Sequence, residues 1–171
     1  MVDENAETKT VVTETVTTTG PVTNRSIYDV LKDDHKKVSE LFKQILEKRQ
    51  PSAATFAQIK MELDAHMAGE EKHFYPAIKQ GSDMAFLVDE ASVEHNTAKT
   101  LIGEVGALSE TDEMWLPKVK VLCDIISHHV EEEEKELFKG AKKVLTKEDE
   151  KRIAQLFLDE KVRMMRTKQT G

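Results

Sequence analysis

Residues 64–76 read DAHMAGEEKHFYP, and residues 128–138 read HHVEEEEKELF. In the first stretch His66 is followed four residues later by Glu70. In the second, His129 and Glu133 repeat the spacing. Residues four apart on an α-helix share a face, about 6 Å apart along the axis. Each stretch therefore points an imidazole and a carboxylate the same way, and the flanking apolar residues turn that face inward.

The surrounding sequence supplies helices for these pairs. From Ser26, with Asp29 three residues on in a capping-box-like start, Leu31, His35, Val38, Phe42 and Ile45 form one helical face. Pro51 breaks the chain. A second helix is expected over about 52–80, stopping at Gly81, with the stripe Ile59, Leu63, His66, Glu70 and His73. Pro76 is expected to kink it or end it early. A third helix over about 82–108 carries Val88, Ala91, His95, Ala98 and Ile102 on one face. A fourth, over about 112–143 with Pro117 near its first turn, carries Leu122, Ile126, His129 and Glu133. A last helix starts at Thr146, with Asp149 completing a box, and shows Ile153, Leu156, Phe157 and Met164. Short connections make sequence neighbours antiparallel. The expected fold is all-α, an up-down-up-down four-helix bundle over 26–145 with an extra C-terminal helix and tail over 146–171. The Thr- and Val-rich residues 1–25 lack the large apolar side chains of a core and read as a flexible tail.

A weak internal repeat fixes the register. DDHKKVSELF (33–42) resembles VEHNTAKTLI (93–102), with an acid, a histidine and then an apolar pair. HMAGEEKHFY (66–75) resembles HVEEEEKELF (129–138), so His129 and Glu133 pair rather than His128 and Glu132. Each half is a hairpin carrying one lone histidine and one His-x-x-x-Glu. Four imidazoles (His35, His66, His95, His129) and two carboxylates (Glu70, Glu133) then converge on one slab of the core.

An unpaired carboxylate in that interior costs on the order of several kcal/mol. Metal coordination removes the cost. Imidazole suits iron, zinc and copper, and carboxylates can bridge cations. Four nitrogens and two carboxylates suit two ions, each with the histidines of one hairpin, both glutamates bridging, and positions left open for a small ligand. Ferritin-like oxidase sites use Glu-x-x-His and more carboxylates. A structural zinc site closes with four ligands. Neither matches this set.

The order His, His-x-x-x-Glu, His, His-x-x-x-Glu resembles the hemerythrin-like family of cation-binding domains, as does the wording IYDVLKDDHKKVSELF, HMAGEEKHFYPAI and HHVEEEEKELF. The resemblance covers about 26–145. It implies two iron ions bridged by the two glutamates and an oxo or hydroxo group, with manganese or zinc as substitutes. His35, His66, Glu70, His95, His129 and Glu133 would be the ligands, and dioxygen, peroxide or nitric oxide the small-molecule partner. The oxygen carriers have a second histidine four residues from that on the third helix. Here those positions hold Ala91 and Lys99. The expectation is therefore redox detoxification or stress chemistry, with a redox partner, or non-enzymatic sensing through the tail or last helix to a signalling partner. Reversible oxygen storage is not expected.

Around this set, His73 either supplies a further nitrogen or lines a ligand channel, or else sits near solvent at a helix end. Glu132 is a weak alternative ligand within an otherwise solvated run, Glu131–Glu134, and His128 an exposed neighbour. Tyr28, Tyr75, Met61, Met67, Met84 and Trp115 read as packing, and Cys123 as a buried thiol.

Composition bounds the rest. Charged residues are 33%, aromatics 5%, and the net charge is −7. That balance argues against a nucleic-acid surface, which is usually basic and clustered. No apolar run approaches the roughly 20 residues of a membrane span. With no apolar signal region in MVDENAETKT and one cysteine, a reducing, cytoplasmic setting is expected.

Overall fold

The computed structural model describes residues 22–79 and 82–167. The tail expectation for residues 1–21, the stop at Gly81 and the final four residues lie outside the described residues. Helix α1 spans Ile27–Leu46. Ser26 caps it in extended backbone: its Oγ accepts the Asp29 N–H at 3.2 Å and donates to Asp29 Oδ2 at 2.9 Å. Helix α2, Ala53–Gly69, is capped by Ser52 in the same way.

Helix α2 then changes pitch. Glu70–Phe74 form a π-helical turn, in which the N–H of Tyr75 reaches back five residues to the Glu70 carbonyl. A short α3 follows, Tyr75–Ile78. Helix α4 spans Ser82–Ala107 and α5 Trp115–Glu132. A second π-turn, Glu133–Leu137, again joins an N–H (Phe138) to a glutamate carbonyl (Glu133), and α6 completes that rod over Phe138–Val144. The chain stays helical through Pro76 to Ile78, and such a turn does not require a proline, because Lys139 occupies the matching place after the second. What the two turns share is the glutamate that opens each. Helix α5 begins later than expected, since Asp112 makes a separate turn: its Oδ1 accepts the Met114 N–H at 2.8 Å. Helix α7, Lys147–Thr167, opens with a reciprocal box between Thr146 and Asp149.

Two apolar clusters define the bundle. One gathers the start of α1 (Ile27, Leu31), the end of the second rod (Phe74, Ile78), the start of α4 (Val88) and the end of the fourth rod (Leu137, Phe138). The other gathers the opposite ends: Phe42 and Ile45, Phe56 and Ile59, Ile102 and Val105, Trp115 and Val119. Starts meeting ends in this alternation is the up-down-up-down antiparallel four-helix bundle. Trp115 packs edge-on against Phe56 with ring centroids 5.6 Å apart. Burying each such ring contributes roughly 1.5–3 kcal/mol, which offsets the polar slab held between the clusters.

Helix α7 lies across the α1–α2 hairpin as the extra helix, and it reaches closer to the slab than an outer helix need. Gly69 admits it: a Cβ there would stand 2.5 Å from the Phe157 ring. Phe157 also meets His66 edge-on, centroids 5.6 Å apart. The chain ahead of α1 touches this helix too, through the Thr23 N–H to Gln155 Oε1 at 2.7 Å.

Candidate metal centre

Between the clusters the six polar residues meet, all buried. Glu70 and Glu133 are 0% exposed, His95 1%, and even His35 only 8%. His66 and Glu70 stack as their spacing requires, Nε2 to Oε1 3.1 Å. The other oxygen of Glu70 lies 3.4 Å from His95 Nε2, on the opposite hairpin. Glu133 crosses the other way, Oε2 to His35 Nε2 3.2 Å. His95 Nε2 and His129 Nε2 are 3.1 Å apart.

These contacts resolve into two groups. His35, His66, Glu70 and Glu133 offer four ligand atoms within 4.8 Å of one another, and Glu70, His95 and His129 offer three within the same distance. Each hairpin contributes its own pair of histidines, and Glu70 belongs to both groups. Glu133 joins the first hairpin's histidines and falls outside the second group. Two ligands at right angles, each about 2.1 Å from one ion, stand about 3 Å apart. The observed spacings fit that geometry.

A second ring of carboxylates holds the imidazoles. Nδ1 of His35 donates to Glu134 at 2.8 Å, that of His66 to Asp34 at 3.2 Å, that of His95 to Glu71 at 3.0 Å and that of His129 to Glu94 at 2.7 Å. A carboxylate on Nδ1 fixes the tautomer and leaves Nε2 as the ligand atom, the usual support of a metal-bound histidine. The sequence reading missed these four acids and took Glu134 as solvated. The signal lay in the repeat, because each acid sits beside one of the six residues in the chain yet serves a histidine on a different helix. Asp34 is itself held by Lys161 of α7, Nζ to Oδ2 2.6 Å, and Lys161 also meets Glu62 at 3.3 Å.

The donor set is incomplete without a cation. Both oxygens of Glu70, both of Glu133 and Nε2 of His35 are buried without a hydrogen-bond partner. With each Nδ1–H given to a carboxylate, neutral His95 and His129 turn two lone pairs toward each other. The protein alone answers with protons. Burial pushes His66 down, but Glu70 and Asp34 outweigh it and hold the imidazole up at about 10. Burial also works against Glu70, yet His66 and His95 keep its carboxyl well below the usual range. Glu133 is pushed up, by burial and then by the charge of Glu70. A divalent cation at each group satisfies the same atoms directly, so the residues fit a two-metal centre.

Tyr75 belongs to this slab rather than to packing alone. Its hydroxyl lies 3.3 Å from His95 Nε2. Burial and the nearby glutamates raise it well above its ordinary value, so it keeps its proton. His73 turns away from the slab toward Glu160 of α7, at 4.0 Å. The π-turn inserts an extra residue, so the buried residue after Glu70 is Phe74. Glu132 and His128 stand outside the six, with side chains 43% and 63% exposed. Tyr28 is buried with no partner for its hydroxyl, and Cys123 is half-buried. Beside the centre is a cavity whose walls are the four histidines with Val38, Leu63, Met67, Ile126 and Val130, and with Asp34 at its edge. Its volume of about 10 Å³ is room for one molecule of about the size of water.

The model of the hemerythrin HHE cation binding domain matches residues 26–141, and the chain belongs to that family. A DNA nickase from Nostoc sp. (strain PCC 7120 / SAG 25.82 / UTEX 2576) is 31% identical to it over 137 residues. The match takes in 77% of this chain and 38% of that protein, so the chain spans well under half the length of this curated relative. Among solved structures, a hemerythrin HHE cation binding domain-containing protein from Mycobacterium kansasii superposes with a TM-score of 0.69 at 21% identity. The superposition covers 83% of this chain and 86% of that one. That likeness shows the fold. The family and the buried His/Glu groups together make this a cation-binding domain.

Proposed function

We propose that the chain is a non-haem di-iron protein that takes dioxygen, peroxide or nitric oxide at its buried centre. The observation that carries this reading is the sharing of Glu70 by two histidine pairs beside a cavity for one small molecule. His35 and His66 would hold one ion, His95 and His129 the other, with Glu70 between them and Glu133 reaching the first. Imidazoles with carboxylates suit iron, and manganese or zinc would occupy the same donors as substitutes. When bound, ferrous iron supplies the electrons that reduce such ligands.

The chain's own residues set the conditions. Val38, Leu63, Met67 and Ile126 exclude water from the cavity and favour an uncharged diatomic. The Tyr75 hydroxyl holds a proton beside His95 Nε2. The four outer carboxylates keep the Nδ1 protons in place, which raises the basicity of the ligand nitrogens. We place this chemistry in redox detoxification or stress response, in a reducing cytoplasm, with a redox partner to return the electrons. Strand nicking is not carried over from the relative, because a net charge of −7 offers no general attraction for phosphates.

A second reading, a non-enzymatic sensor, has one observation in its favour. Lys161 and Phe157 of α7 bear on Asp34 and His66, so occupancy of the centre is felt by the last helix. One experiment separates the two. Protein loaded anaerobically with ferrous iron is given dioxygen, peroxide or nitric oxide, and both ligand consumption and protease cleavage within α7 are followed. Catalytic consumption supports the redox protein. Stoichiometric binding with altered cleavage supports the sensor. No spectral response to any of the three refutes both.

A further inference from the structure

Glu94 faces two ways. Its Oε2 accepts the Nδ1–H of His129 at 2.7 Å, while its Oε1 lies 3.9 Å from Nε2 of His128. Oε1 of Glu132 is 3.5 Å from that same nitrogen. The three side chains offer ligand atoms within 4.8 Å of one another at the surface of the bundle. None of the six buried residues is among them.

This acidic group opens inward. A narrow pocket behind it is lined by Glu90, Glu94 and Glu132 on the outside and by His129 and Glu133 within, with the small Ala91 in its wall. It has about 10 Å³ for the centre of a water-sized sphere, enough for one water or a partly dehydrated ion. Glu133 is 0% exposed and both its oxygens lack a hydrogen-bond partner. The surface cluster is thus continuous with a buried carboxylate that has unfilled bonds. The cavity on the other side of the slab is mainly apolar, walled by Val38, Leu63, Met67, Ile126 and Val130, and its one carboxylate, Asp34, is already held by Lys161 and His66.

We infer that Glu94, His128 and Glu132 form a loading site for a hydrated divalent first-row cation, which passes between Glu90 and Ala91 to Glu133 and His129. The inference rests on the two-metal reading above. Two carboxylates and one imidazole hold such an ion loosely, with waters completing its shell. The ion is then released inward rather than trapped. A cleft lined with one sign of charge raises the local concentration of counter-ions and speeds their capture by roughly 10- to 1,000-fold. Glu94 marks the handover, since one carboxylate accepts from the inner histidine and faces the outer one at 3.9 Å. The centre thereby separates its two kinds of visitor, cations by the acidic side and uncharged small molecules by the apolar one.

The test is stopped-flow uptake of ferrous iron by the metal-free full chain, under anaerobic conditions. Glu90→Gln/Glu132→Gln is compared with Glu131→Gln/Glu136→Gln, which changes the net charge equally on exposed residues outside the pocket. The pocket pair should load roughly ten-fold more slowly and still reach two equivalents, while the control pair loads as the wild type does. On loaded protein, manganous ion followed by electron paramagnetic resonance should show a third, weaker site that His128→Gln/Glu132→Gln removes. Equal rates in the two pairs, or a third site that survives that substitution, overturns the loading site. A wild-type chain that never reaches two equivalents overturns the two-metal reading itself, and the loading route with it.

Discussion

Replacing Glu133 by methionine should make the metal-free protein more stable and the loaded protein less so. Glu133 is fully buried, neither carboxylate oxygen has a hydrogen-bond partner, and burial and Glu70 push its carboxyl up. A group whose folded value is raised holds its proton more tightly in the fold. It therefore opposes folding at neutral pH, and that opposition fades as pH falls through the raised folded value and is gone below the unfolded value of about 4.3. An unsatisfied buried polar group costs about 1–3 kcal/mol, and methionine fills a similar volume without polar atoms. For a chain of this size each kcal/mol moves the melting temperature by about 2–4 °C, so Tm of the metal-free variant should rise by roughly 2–12 °C. The gain should shrink in acid. With ferrous iron bound, the wild type gains stability by linkage and the variant, lacking one ligand of the first ion, gains far less. Calorimetric melts of both proteins, with and without metal, measure this inversion. A metal-free variant that melts below the wild type, at any pH above the carboxylate range, would show that Glu133 is an ordinary structural acid and refute the reasoning.

Three further outcomes follow from the same geometry. Asp34→Asn weakens the hold on His66 and strips Lys161 of one partner; metal affinity should fall by roughly 10- to 100-fold in competition with a chelator of known strength. His66, held up at about 10, is an imidazolium in metal-free protein at neutral pH. Metal loading must expel that proton, so affinity should rise with pH until about 10, and calorimetry in two buffers of different ionisation heat should count the release. The same shift supports the metal-free fold fully below the unfolded value of about 6.5, and that support is lost as pH rises through the folded one. Gly69→Ala drives a Cβ to 2.5 Å from Phe157; overpacking of about 1–3 kcal/mol should loosen α7 first, seen as faster proteolysis within that helix while the four-helix bundle persists.

The bundle was legible because its apolar stripes keep helical spacing and its breaks fall at Pro51 and in the Asp112 turn. The slab was legible for a related reason: His66/Glu70 and His129/Glu133 are i, i+4 pairs, and the repeat places His35 and His95 at matching depths. The π-turns were hidden, since periodicity assumes one pitch. Their trace was the eight-residue interval from His66 to Phe74 and from His129 to Leu137, where an unbroken helix would have buried His73 and Glu136. The outer carboxylates escaped for a different cause. Asp34, Glu71, Glu94 and Glu134 look like ordinary surface acids within their own helices, and each acts on a histidine from another. The link from Lys161 to Asp34 to His66 spans more than 90 residues of chain and exists only once α7 has docked.

The central claim is a pair of ions sharing Glu70. The most direct measurement is an anaerobic titration of metal-free protein with ferrous iron, repeated on Glu70→Ala. The account predicts a break at two equivalents per chain for the wild type and loss of tight binding at both positions together in the variant. A break at one equivalent, or a variant in which one position still fills as tightly as before, would contradict it.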